Sequence, residues 1–181
     1  MRRAHLGETT LIYTAGLAVG HNWFGGADLT DYLRADLGIE GPLSKSVTGY
    51  AALSAESQRS LQSGQGSADI LGLSGGVVAK RGNGDQIKLG LDLGQTDSTQ
   101  APSSYSAVGL SLDYTRAAPV MGVALAANLG VEARDYAVSP YTSSGRQDLR
   151  LTAGVQATLT TIDYMGFSPV LARPPACSMI K

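Results

Sequence analysis

The stretch from Ser106 to Arg134 constrains this chain most. It reads SAVGLSLDYTR, then AAPV, then MGVALAANLGVEAR. In the first arm Val108, Leu110, Leu112 and Tyr114 alternate with Gly109, Ser111, Asp113 and Thr115. In the second, Met121, Val123, Leu125, Ala127, Leu129, Val131 and Ala133 alternate with Gly122, Ala124, Ala126, Asn128, Gly130, Glu132 and Arg134. Successive side chains of a strand point to opposite faces, so one face of this hairpin is continuously apolar. A soluble sheet shows the same alternation when that face covers a core. Length separates the cases: an ordinary strand has about 5 or 6 residues, and a tilted membrane-spanning strand about 9 to 11. Both arms reach the longer range.

The same alternation recurs along the chain. It predicts strands over Thr9–Trp23, Leu29–Glu40, Ser46–Gln58, Asp69–Lys80, Gln86–Gln95 and Gln147–Thr160, with a ninth beginning at Phe167. Between them stand Gly, Asn, Ser and Pro clusters, including Asn83-Gly84, a hairpin signal. The fold class read from this pattern is all-β: an antiparallel up-and-down meander forming a transmembrane-type β-barrel or part of one. Residues 1–171 would form the barrel domain, about nine strands and an incomplete set. Residues 172–181, with Pro174-Pro175, would be a disordered tail of non-native appearance. Connections expected to be short alternate with longer polar ones, as short periplasmic turns alternate with outer loops in such barrels.

Composition agrees. Of 181 residues 43% are hydrophobic, yet mean hydropathy is +0.00. No apolar run approaches the roughly 18 residues of a membrane helix, whereas the polar face of a barrel dilutes the average. The 23 glycines disfavour long helices. Net charge is −1, which gives no footprint for nucleic acid. The single cysteine, Cys177, excludes an internal disulfide. MRRAHLGETT carries no signal peptide, so an outer-membrane protein would have its leader further upstream.

The polar faces carry Arg34, Asp36, Glu40, Glu56, Lys88, Asp92, Asp113, Glu132, Arg134 and Arg150. Each would cost about 2 to 4 kcal/mol in hydrocarbon near the midplane, so they are expected to line a wet lumen and pair there. Trp23, Tyr114 and Phe167 fall on apolar faces near strand ends, where interfacial aromatics belong. The partner implied by this pattern is outer-membrane lipid, with no small-molecule substrate and no cofactor. Only His5 and His21 could serve as histidine bases, and no nucleophile, base and orienting group can be assembled, so an enzyme is not expected. Metal-ligand spacing is absent.

One region resembles a known family. Arg134-Asp135-Tyr136, then Ser139-Pro140 and Gly145-Arg146-Gln147-Asp148, then Ile162-Asp163-Tyr164-Met165-Gly166-Phe167-Ser168-Pro169-Val170 is similar to the C-terminal barrel of the surface lipoprotein assembly modifier family. There an RDY segment ends one strand, a GR-x-D segment begins the next and a D-Y-x-GF-x-P segment opens the one after. The resemblance implies an outer-membrane barrel, a periplasmic helical-repeat region, and a role in displaying lipoproteins on the cell surface, with a surface lipoprotein client as partner. No catalytic residues come with it. No helical repeat precedes residue 9, and the tail after Leu171 lacks the expected further strands. The resemblance therefore implies a fragment of such a barrel. A generic porin-like or autotransporter-like barrel with a structural or passive transport role, and a soluble antiparallel β protein, are the alternatives.

Overall fold

The computed structural model describes residues 2–5, 10–62, 64–139, 145–159, 170–173 and 178–180. They form one antiparallel sheet. Its strands are β1 (Arg2–His5), β2 (Ile12–Phe24), β3 (Ala27–Pro42), β4 (Val47–Ser60), β5 (Ala68–Lys80), β6 (Gln86–Ser98), β7 (Tyr105–Thr115), β8 (Val123–Tyr136), β9 (Arg146–Leu159), β10 (Val170–Arg173) and β11 (Ser178–Ile180). Each pairs with the next as far as β10, and β11 also pairs with β9. Strands β2 to β9 are 11 to 16 residues long, well beyond ordinary strands. The all-β meander expected from the alternation is the fold observed.

Several strands run further than expected, whereas β2 and β8 start later, at Ile12 and Val123. β3 begins at Ala27 and β6 runs on to Ser98, so residues assigned to turns belong to ladders. Pairing explains this: Asp97 lies opposite Asp69, and Phe24 opposite Ala27, so backbone hydrogen bonds continue past the apolar pattern. The connections shrink unevenly. They hold two residues after β2, four after β3, seven after β4, five after β5, six after β6, seven after β7 and nine after β8. The expected sorting into short and long ends is therefore weak, because the hairpin at Gly25-Gly26 is the tightest and the one after Thr115 is not short.

At the other end of the chain, Phe167 lies outside the described residues. The segment expected to be a tail contributes pairings at Ala172, Arg173 and Ser178 to Ile180. Arg173 is opposite Val155 and Ser178 opposite Arg150, so β10 and β11 follow β9 in one continuous register. The four-residue β1, which carries no alternation signal, makes the path ten strands instead of nine. Its two edges therefore run antiparallel to each other. Among the described residues they do not meet, and the sheet is open.

The strands slide past one another. A line perpendicular to them from Ile12, the first residue of β2, passes through Glu40, Tyr50, Gly76, Gly90, Ser111 and Gly130. It arrives at Thr152, in the middle of β9. A steady stagger of one sense is strand tilt, the feature a sheet needs to close into a barrel.

One turn is held by a residue that composition does not single out. Asp85 follows Gly84, whose φ is +87°, and is buried. Its Oδ1 accepts the Ala117 N–H at 3.0 Å. Its Oδ2 accepts the Tyr114 hydroxyl at 2.7 Å and the Asn83 amide at 2.9 Å. The carboxylate thus ties the turn after β5 to the one after β7. These donors, the Ala117 N–H foremost and the Tyr114 hydroxyl next, hold the Asp85 carboxyl below its ordinary value of 3.8. A depressed carboxylate stabilises the fold fully above that ordinary value and loses the contribution as pH falls through the lowered one. Asp85→Asn should therefore lower the unfolding temperature at neutral pH. The gap to the unsubstituted protein should narrow on acidification below 3.8. Unfolding followed by circular dichroism across that range checks both points.

Candidate functional site: the apolar belt and the charge-paired face

Alternation and register together divide the sheet into two chemically distinct faces. On the first, a ladder line runs Tyr13, Ile39, Ala51, Gly75, Leu91, Leu110, Val131, Leu151. Its large side chains are exposed: Leu17 at 74%, Leu110 at 59% and Leu91 at 45% of their full surface. The one buried hydrophobic residue among those described is Tyr136, on the opposite face. A water-soluble sheet of this size would cover its leucines, because burying each stabilises by about 1.5 to 3 kcal/mol.

The apolar surface has a defined upper limit. On β2 and β3 it ends at Val19 and Leu33, beyond which stand His21 and Asp31. On β4 and β5 it ends at Ala55 and Leu71, beyond which stand Ser57 and Asp69. From β6 to β9 it ends at Leu93, Val108, Ala133 and Leu149, followed by Gln95, Ser106, Asp135 and Gln147. The limit steps down the ladder in the same sense as the strands slide, which makes it level relative to tilted strands. On β4 and β5 the belt covers 47–55 and 71–79. Nine residues at about 3.3 Å each, inclined roughly 40°, rise about 23 Å.

Trp23 and Tyr114 sit on this face near its two limits. Trp23 is 68% exposed and stacks on His21 with ring centroids 5.9 Å apart. His21 places Nδ1 2.6 Å from Asp31 and Nε2 3.0 Å from Asp28. Tyr114 is half-buried and its hydroxyl is taken by Asp85.

The second face carries all ten charges singled out by the alternation. Register sets them as opposites across strands: Arg34 faces Glu56, Lys88 faces Asp113, Glu132 faces Arg150, and Arg134 faces Asp148. Opposite charges at such positions favour the observed register by about 0.2 to 1 kcal/mol each. Further contacts run along the strands. Arg34 binds Asp36 at 2.9 Å on its own strand while also reaching Glu56 across to β4 at 3.5 Å, and Arg134 donates from Nε to Glu132 at 2.6 Å. The Lys88 ammonium lies 5.0 Å from the centre of the Tyr50 ring. Asp92, opposite Ser74 and Gly109, and Glu40, opposite Ile12 and Tyr50, stand apart from these clusters.

This face is the more sheltered of the two, as identical residues show. Ala52, Ala107, Ala124 and Ala126 on it are half-buried, whereas Ala35, Ala51, Ala55, Ala127, Ala133 and Ala153 on the leucine face are exposed. The exceptions are Ala18, where β2 lacks a neighbour on one side, and Ala79 and Ala157 near strand ends.

Two groups escaped the sequence reading. Tyr105, Tyr136, Arg146 and Asp148 join Glu132 and Arg134 at the end of β7 to β9. The Arg146 guanidinium lies 4.0 Å from the Tyr136 ring centre, and the Arg134 guanidinium 4.8 Å from that of Tyr105. Tyr50 lies across Gly76 and Gly90, so that a Cβ on Gly90 would stand 3.0 Å from its hydroxyl. Both depend on which strand lies beside which, and local sequence does not encode that. Among the described residues no helix is long and apolar enough to cross a membrane, and no group of three or more His, Cys, Asp or Glu could hold a metal ion. No protein-family model matches the chain, and neither a curated protein nor a solved structure matches it.

Proposed function

We propose that this chain forms wall strands of a β-barrel in a bacterial outer membrane, its leucine face toward lipid and its charge-paired face toward the lumen. The observation that carries the reading is the level apolar belt on tilted strands, about as tall as the roughly 25 Å band of such barrels. Opposite charges set side by side on neighbouring strands, with the Arg34–Glu56 contact between them, support a structural wall more than a selective path for ions. A role in displaying lipoproteins rests on the resemblance of the region from Arg134 to Val170. In line with it, Tyr136 closes β8 and Arg146 opens β9.

Both parts have a direct experiment. The full chain expressed with an export signal should stay in the outer-membrane fraction after an alkaline carbonate wash and be released by detergent. Release by carbonate alone contradicts the barrel. Deleting the gene from its source should lower the amount of lipoprotein reachable by protease on intact cells, while leaving total lipoprotein unchanged. Unaltered surface exposure leaves the barrel standing and removes the display role.

A further inference from the structure

The turns after β3, β5 and β7 lie at one end of the sheet, and their exposed charge has one sign. Lys45, Lys80, Arg81 and Arg116 are all exposed. The one acid in these turns, Asp85, is buried with its oxygens already occupied. The turns are linked to each other: the Lys80 N–H donates to the Ser46 carbonyl at 2.8 Å, and Asp85 holds the Ala117 N–H. Large apolar side chains stand among the cations. Leu43 is 68% exposed and Met121 98%. Met121 has a φ of +52°, a conformation that costs a residue with a Cβ about 1 kcal/mol or more, and there it leaves the thioether fully in the open. At the opposite end, the leucine face is bordered by Asp31, Asp69, Asp97 and Asp135, with Arg59 as the cation.

We infer that the turn end is a docking surface for anionic phospholipid headgroups. Lys45, Lys80, Arg81 and Arg116 meet the phosphates, and Leu43 and Met121 enter the acyl boundary. This rests on the lipid-facing reading of the belt. Continuity favours lipid over an acidic protein. Leu43 folds back over Gly49, whose added Cβ would stand 3.0 Å from it, so apolar surface runs unbroken from belt to turn. Cations flanking such a surface at one end of the sheet suit a layer of phosphates. Each Lys or Arg held near an anionic leaflet strengthens attraction severalfold.

The test uses the full chain and two vesicle types, phosphatidylcholine alone and equimolar phosphatidylcholine with phosphatidylglycerol. Association should be about tenfold or more stronger with the anionic vesicles, and added salt should erode the difference. Replacing all four cations by glutamine should abolish the preference. Replacing Asp69, Asp97 and Asp135 by asparagine should leave it, because that rim lies further from the turns than the Debye length of about 10 Å at 0.1 M salt. Entry into both vesicle types without preference overturns this inference and leaves the belt reading intact. Entry into neither overturns both. A salt-insensitive preference, or one kept by the glutamine variant, also contradicts the assignment.

Discussion

Leu91→Arg and Leu110→Arg should each reduce membrane insertion by a factor of tens to hundreds, while Asp92→Arg and Gln156→Arg leave it nearly unchanged. Leu91 and Leu110 face each other in the centre of the belt. A guanidinium at that depth costs about 2 to 4 kcal/mol on a lipid-exposed barrel face. Asp92 and Gln156 are exposed on the charge-bearing face, where an arginine stays among polar neighbours. Arginine at Gly90 would be a poor control, because even a Cβ there lies 2.6 Å from the Ser111 hydroxyl. Heat-modifiable gel mobility after refolding into vesicles measures the effect. Equal losses from both faces would mean that the leucines pack against protein.

The second large effect concerns a substitution that looks harmless. Glycine to alanine in a strand normally stabilises by about 0.4 to 1 kcal/mol, through loss of freedom in the unfolded chain. At Gly76 a Cβ would run into the Leu89 carbonyl oxygen and stand 2.7 Å from the Tyr50 hydroxyl. A carbonyl inside a ladder cannot swing away without breaking its register. Gly76→Ala should therefore destabilise by about 3 kcal/mol or more, among the large values that steric conflict produces. Gly90→Ala meets only the mobile ends of Ser111 and Tyr50, and should cost about 1 kcal/mol. Truncating Ser111 to alanine should rescue Gly90→Ala, whose closest contact is the Ser111 hydroxyl, but not Gly76→Ala. Denaturant unfolding of the four variants in detergent checks the ranking. A Gly76→Ala protein as stable as the parent would mean that β5 and β6 approach less closely than described.

How much of this was legible in the chain differs by level. Period-two alternation in β6 and β7 is local, and it identified the strands and assigned each charge to a face. Length excess over ordinary strands is equally local. Strand ends were misplaced because Thr96 to Ser98 continue a ladder with no apolar signal of their own. β1 was missed because four residues hold too little pattern. Above all, register is non-local. Nothing near Lys88 says that Asp113 will face it, or that Tyr50 two strands away will lie beneath it. Asp85 reads as an ordinary turn residue until Ala117 and Tyr114 are brought to its oxygens from a neighbouring hairpin.

Strand β6 offers the most direct test of the central claim that the two faces meet different solvents. Spin labels placed singly at 87 through 89 and 91 through 94, in protein inserted into vesicles, can be probed with oxygen, which concentrates in lipid, and with a water-soluble nickel complex. Labels at Ile87, Leu89, Leu91 and Leu93 should collide mainly with oxygen, and those at Lys88, Asp92 and Gly94 mainly with nickel, giving a period of two. Uniform accessibility to nickel along the strand, or protection of the leucine positions from both probes, would contradict the account.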